Sequence, residues 1–285
     1  MTDVANEIDR RIDMNPIAIA AGVSLLNGKP VEAADFAALA LLNYGHFTSM
    51  QVSERRTRGL DLHVARLESA TRELFGSELD VAKVRDDMHS VVGGRPGAWS
   101  LRVNVFSRNL RRDHPAQPAT PDVLTTISAP RNGASTPLRL KCFHHERVLP
   151  HIKHVGTFPL FHFRRLAQLD GFDDALFIDA AGAISEASVW NIGFFDGSGI
   201  VWPNAPALNG VSMQLLQNGL RARGVPTTSR RIARSDIASF RSAFLTNSSQ
   251  PVRAIASIDD SDLAPDPELV ALLGDCYATN AWQEI

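Results

Sequence analysis

His151-Ile152-Lys153-His154, with Ser185-Glu186-Ala187-Ser188-Val189-Trp190-Asn191 just over thirty residues later, is the pair of stretches from which the rest of the chain is read. Positive charge here is written almost wholly as arginine: Lys29, Lys83, Lys141 and Lys153 are the lysines among 29 basic residues. A lysine kept in such a chain can serve where arginine cannot, above all in forming a covalent imine, which needs an amine able to lose its proton. Lys153 follows Pro150 and Ile152 and precedes a predicted helix, so it is the candidate for a pinned, functional amine. Glu186 lies among small and apolar residues, and a carboxylate in such surroundings needs a partner; a protonated ring nitrogen would serve. Both residues also have an ordinary reading, as a surface charge and as a solvated carboxylate after a turn.

Working outward, 285 residues suffice for one large domain or two of ordinary size, with a sizeable core. Hydrophobic content of 44% with 21% charged residues belongs to a soluble globular chain. A formal charge of −2 gives no electrostatic reason to expect nucleic acid or an anionic membrane as partner. No apolar run approaches a membrane span. The charged start, Met1-Thr2-Asp3 through Arg10-Arg11, lacks the apolar core of a signal peptide. Cys142 and Cys276 show no metal or redox spacing, and a cytoplasmic location is expected.

Residues 33–42 read as a short helix and Tyr44 to Val52 as a strand. Asp61 is the predicted N-cap of a helix to Phe75, on which His63 and Arg66, three apart, share a face. Asp80 opens a second helix that stops at Gly93-Gly94. Trp99, Leu101, Val103 and Val105 alternate with polar residues as a half-buried strand, and Val123 to Ile127 is another. Ala129 to Pro137 has linker composition, which sets a boundary between a domain of residues 1–130 and one of residues 136–285.

Beyond it, strands are predicted at Leu138 to His144, Ala175 to Asp179, Ala243 to Leu245 and Val252 to Ile258. Asn191 to Phe195 and Ile200 to Trp202 form a predicted hairpin. Helices run from Pro159 to Leu169 and from Gly210-Val211-Ser212 to about Arg223. Helices and strands mix without strict βαβ alternation, so the class is α+β in two domains.

Three features suit a phosphorylated ligand. Gly210-Val211-Ser212 opens a helix whose free N–H groups and positive dipole end can hold an anion. Thr246-Asn247-Ser248-Ser249 offers hydroxyls between two strands, and Arg66 is a helix-borne guanidinium suited to phosphate. Each also has a plain structural explanation: a helix cap, a hairpin turn, a solvated helix face. Histidines gather at 144, 145, 151, 154 and 162, but without an HExxH pattern or cysteine ligands no metal is expected.

Taken in chain order, the segments from Tyr44 to Ile258 resemble the class IV aminotransferases, the fold-type IV enzymes that use pyridoxal 5′-phosphate (PLP). The carriers are Phe47-Thr48-Ser49-Met50-Gln51-Val52, His63-Val64-Ala65-Arg66-Leu67, Ile152-Lys153, and Asp173 to Asp179. They continue with Ser185-Glu186 to Asn191, Leu208-Asn209-Gly210-Val211-Ser212 and Phe244-Leu245-Thr246-Asn247-Ser248. The resemblance implies a small N-terminal α/β domain and a larger C-terminal pseudobarrel domain that binds PLP. It implies that Lys153 forms the aldimine with PLP and shuttles a proton, and that Glu186 pairs with the pyridine nitrogen. Arg66, Val211, Ser212 and Ser248 would hold the phosphate. Arg112-Asp113-His114 is similar to the Arg-x-His with which D-amino-acid aminotransferases trap a carboxylate, and Phe47, Arg102 and Ser249 would line the substrate pocket. Family members are typically homodimers acting on amino acids and 2-oxo acids.

The chain departs from the family pattern in places. The segment before Phe47 usually carries an Asp-Arg-Gly and a Gly-Asp-Gly, Ala187 replaces a glycine, and Met213 replaces an arginine. Phe158 stands where branched-chain enzymes have tyrosine. The expectation is a PLP-dependent aminotransferase. The alternatives are an aminodeoxychorismate-type lyase that releases pyruvate and a non-catalytic binding protein on the same fold.

Overall fold

The computed structural model describes residues 23–285 except 132 and 134. The N-terminal stretch read as lacking a signal-peptide core, and two positions of the 129–137 linker, lie outside the described residues. The described chain divides into two compact units. One comprises residues 23–131, Ile152–Gly156 and Trp282–Ile285; the other holds residues 135–151 and Thr157–Ala281.

The first unit is built on a seven-stranded sheet, antiparallel throughout. Its order is Trp282–Glu284, Arg56–Arg58, His46–Ser53, Ala98–Phe106, Asp122–Ser128, Ser24–Leu26, Lys29–Pro30. Along His46–Ser53 the even positions His46, Thr48, Met50 and Val52 are buried. His46 and Thr48 meet the helix Leu60–Phe75 through Thr71 and His63. That helix and Val81–Val92 supply Val64, Leu67, Val84 and Met88 to a core shared with Met50, Leu101 and Val103. Period two meets period 3.6 at this layer, which is why a half-buried strand and an amphipathic helix were both readable.

The start of the first long helix differs from expectation. Gly59, left-handed at φ 72°, is the N-cap, and Asp61 lies in the first turn. The Asp61 carboxylate accepts from Arg85 and Gln283, each at 2.6 Å, rather than capping the helix. At Asp80 the expectation holds: its side chain accepts from the Lys83 N–H at 3.0 Å.

The second unit contains a nine-stranded sheet that curls into a half-barrel. Its path runs Thr227–Arg230, Ile200–Pro203, Asn191–Phe195, Ser242–Thr246, Arg253–Ile258, Leu138–His144, Asp174–Ile178, Ile184–Ala187, with Ser261–Asp262 beside Arg253–Ile258. The predicted hairpin is present, with Phe194 opposite Val201. Leu138–His144 and Asp174–Ile178 are parallel and joined through the helix Phe158–Leu169. Leu140, Leu176, Ile192, Phe194, Leu245 and Ile255 form the main core. A helix at Pro267–Ala278 packs Leu269, Leu273 and Cys276 against Leu216 and Leu220 of Val211–Ala222. This helix and the strand Trp282–Glu284 were not anticipated from sequence. Among the described residues no helix is long and apolar enough to cross a membrane.

Candidate active site

Lys153 belongs to a short segment laid along His46–Ser53, on the side that Ala98–Phe106 does not occupy. The Phe47 N–H donates to the Lys153 carbonyl and the Val155 N–H donates to the Gly45 carbonyl, both at 2.9 Å. His46 and His154 thus form an isolated antiparallel bridge. Ile152, 1% exposed, plugs the core beneath. On the opposite side of this strand Gly45, at φ 157°, lets Ala98–Phe106 come close: a Cβ there would lie 2.5 Å from the Val105 carbonyl oxygen. The Lys153 Nζ stands 5.0 Å from the centroid of the Phe47 ring. The Arg102 guanidinium lies over the same ring at 3.7 Å while its Nε donates to Asn104 Oδ1 at 2.8 Å. Two cations therefore share one aromatic ring.

Arg66 comes from the helix Leu60–Phe75, one turn after His63. Its Nη2 donates to Thr48 Oγ1, and Thr48 Oγ1 is 2.6 Å from His63 Nδ1. Among the described residues, the buried Arg66 Nε has no hydrogen-bond partner, and no carboxylate pairs with the guanidinium. Burial lowers the Arg66 pKa to about 10. Burial, then the charges of Arg66 and Lys153, push His63 well below the ordinary histidine value. His46, hydrogen-bonded to Thr71 Oγ1 at 3.0 Å, is lowered to about 3 by burial and by Arg66. The histidines are thus held neutral beside the Arg66 guanidinium.

In the second unit, Glu186 is 5% exposed. Arg147 Nη1 donates to its Oε1 at 3.1 Å, and the Leu208 N–H donates to Oε2 at 3.3 Å. A carboxylate offers about four acceptor sites, and these two donors take one on each oxygen. The strand ends in a tight turn in which the Ala187 N–H donates to the Trp190 carbonyl at 3.0 Å. Asp174, 1% exposed, fastens that turn by accepting from Ser188 Oγ (2.6 Å), Trp190 Nε1 (3.1 Å) and Arg164 Nε (3.0 Å). Beyond the turn, Asn191 Nδ2 donates to the Leu208 carbonyl at 2.6 Å. The 208–210 loop is thereby held from Glu186 on one side and Asn191 on the other.

Gly210 then caps the helix Val211–Ala222, and a Cβ on it would come within 2.1 Å of Asn191 Oδ1. The first helical N–H groups, of Val211 and Ser212, have no intrahelical acceptor by construction. Ser212 is 2% exposed. The Thr246–Gln250 turn is ordered by Asn247, whose Oδ1 accepts the N–H groups of Ser249 and Gln250 at 2.9 Å. Ser248 and Ser249 are half-buried, and the buried Thr246 Oγ1 has no hydrogen-bond partner among the described residues.

Arg112 and His114 lie on an exposed loop. Arg112 Nη2 donates to the Leu41 carbonyl at 2.8 Å, and His114 Nε2 is 3.5 Å from Asp113. Sequence reading missed Arg147, Asn191 and the Asp174 network. A buried glutamate demands a cation, and Arg147 stands six residues before Lys153, so that demand was the available signal.

A family profile described as amino-transferase class IV matches residues 45–258. No curated relative matches the chain. Among solved structures, a branched-chain aminotransferase from the thermophilic archaeon Thermoproteus uzoniensis, with norvaline, superposes with a TM-score of 0.80 at 16% identity, covering 92% of this chain and 98% of the other. The PLP-bound form of a hypothetical aminotransferase from Mycobacterium tuberculosis gives 0.76 at 18% identity, with 90% and 99% coverage. The branched-chain amino acid aminotransferase of Thermobaculum terrenum, in its PLP form, gives 0.78 at 16% identity, with 90% and 94% coverage. At these identities the likeness establishes the fold-type IV architecture.

Proposed function

Because the chain belongs to the class IV aminotransferase family, we propose that it is a PLP-dependent aminotransferase moving an amino group between an amino acid and a 2-oxo acid. The observation that supports this reading best is Arg66: a half-buried guanidinium without a carboxylate partner among the described residues, its buried Nε unpartnered, and two neutral histidines nearby. Such a cation calls for an anion from outside the chain.

The residues present suit PLP part by part. Arg66 would bind the phosphate as a cation, Val211 and Ser212 through the start of a helix, and Ser248 through its hydroxyl. The buried Thr246 hydroxyl, without a partner among the described residues, is consistent with a close-fitting anion. When bound, the cofactor supplies an aldehyde and an electron-accepting ring. Lys153 would present its amine to that aldehyde and would move a proton to and from the substrate Cα. Glu186 would accept from the ring nitrogen and keep a proton there, its orientation fixed by Arg147 and the Leu208 N–H. Phe47 and Arg102, with Ser249, would face substrate, and Arg102 adds a cation for a carboxylate. Arg112 and His114 would serve the same purpose from their exposed loop. We take the enzyme to act on small amino and 2-oxo acids, as a homodimer, in the cytoplasm.

Purified protein supplied with PLP should show a visible absorbance band that borohydride bleaches, and should transfer amino groups in a screen of donors against pyruvate and 2-oxoglutarate. Pyruvate released from a donor without any acceptor would identify a lyase instead. Absence of the band would defeat both enzyme readings and leave a binding protein.

A further inference from the structure

Thr48 is fully buried, and the contacts of its hydroxyl are to Arg66 Nη2 and His63 Nδ1. Guanidinium donates and never accepts, so the Thr48 oxygen is the acceptor toward Arg66. The hydroxyl hydrogen then needs an acceptor of its own, and His63 Nδ1 at 2.6 Å is the one in reach. Were Nδ1 protonated, it and Arg66 would both donate to Thr48, leaving a buried hydroxyl hydrogen without an acceptor. It would also point a proton toward the guanidinium, whose Nη2 is 3.5 Å away. The consistent arrangement is an acceptor Nδ1, with the imidazole proton on Nε2.

We propose that Thr48 and His63 are positioning residues for Arg66, a buried relay in which a neutral Nε2–H imidazole orients the Thr48 hydroxyl and the hydroxyl in turn fixes the guanidinium. The relay uses one edge of the guanidinium through Nη2 and leaves the Nε donor for an incoming phosphate oxygen. Burial of Thr48 and His63 and the helical spacing of His63 and Arg66 make the geometry stiff, so the cation is aimed before the ligand arrives. Its functional consequence rests on the reading of Arg66 as the phosphate-binding cation.

The test compares wild type, Thr48→Val and Thr48→Ser by titration with PLP, with unphosphorylated pyridoxal and with inorganic phosphate. Thr48→Val keeps shape and removes the relay. It should weaken PLP and inorganic phosphate about tenfold, the worth of one hydrogen bond to a charged group. Pyridoxal affinity should be unchanged, and Thr48→Ser should restore phosphate binding. Equal loss for pyridoxal, or no loss for PLP, would overturn the proposal. Nitrogen NMR of ring-labelled histidine supplies an arm independent of any ligand: His63 should be the Nε2–H tautomer in the wild type, and an Nδ1–H signal would overturn the relay. Wild type that binds neither PLP nor phosphate would instead overturn the cofactor reading, while the NMR result still decides the relay.

Discussion

Arg147 and Glu186 form a buried ion pair: Nη1 lies 3.1 Å from Oε1, and each side chain is 7% exposed. Losing one member of such a pair strands the other charge in a low-dielectric setting. Arg147→Leu is expected to lower unfolding free energy by about 3 kcal/mol, measured by urea denaturation. The double variant Arg147→Leu/Glu186→Leu should regain most of that loss. A double variant as unstable as the sum of two singles would show that the pair is not the source.

Lys153 and Lys141 provide an internal control for the reactive amine. Lys141 Nζ is 2.5 Å from Asp170 Oδ2, a carboxylate partner. Borohydride reduction in the presence of PLP, followed by peptide mapping, should place the label on Lys153. Lys153→Ala should abolish it, and label on Lys141 would refute the assignment.

Arg66→Gln keeps a polar side chain while removing the cation. PLP affinity should fall by roughly ten- to a hundredfold, in line with about 1.5–3 kcal/mol for a charge-assisted hydrogen bond. Fluorescence titration reads the change. An unaltered Kd would place the phosphate elsewhere.

Gly210→Ala tests the packing of the 208–210 loop against Asn191. The new Cβ meets Asn191 Oδ1 at 2.1 Å, so Asn191 must move and its bond to the Leu208 carbonyl must stretch or break. Thermal melting should show a loss of about 1–3 kcal/mol, as expected for overpacking. Cofactor affinity should fall as well, because Leu208 also bonds Glu186.

Acid should destabilise the fold through His46, lowered to about 3 in the folded state from an ordinary value near 6.5. Between those values the unfolded chain binds the extra proton, so stability is full above about pH 6.5 and is lost as pH falls toward 3. The slope from this residue is up to about 1.4 kcal/mol per pH unit. Urea midpoints across that window should decline in the wild type and decline less in His46→Gln.

Most elements with one buried face were legible, the helix Pro267–Ala278 being an exception. The alternation around Trp99 to Val105 and the helical period from Leu60 to Phe75 mark them plainly. Asp61 misled because an acidic residue suits both an N-cap and a first turn, while the actual cap is a left-handed glycine. Lys153 and Glu186 stood out by rarity and by context. Thr48, Asn191, Arg147 and Asp174 did not, because their importance lies in pairings across 14 to 39 positions that no local pattern encodes. The parallel pairing of Leu138–His144 with Asp174–Ile178 was hidden for the same reason.

The bridge between His46 and His154, and the pairing of Trp282 with Arg58, bear on synthesis. A ribosome releases Gly45 and Phe47 more than a hundred residues before the segment that bonds to them, and Arg58 long before Trp282. This unit therefore finishes long after most of it has emerged: its sheet gains the strand Trp282–Glu284 only after more than two hundred residues beyond Arg58 have been made. Sequence-distant closures of this kind slow folding and extend the time during which backbone stands unpaired. Lys153 is consequently seated late, after the strand that receives it has already been made.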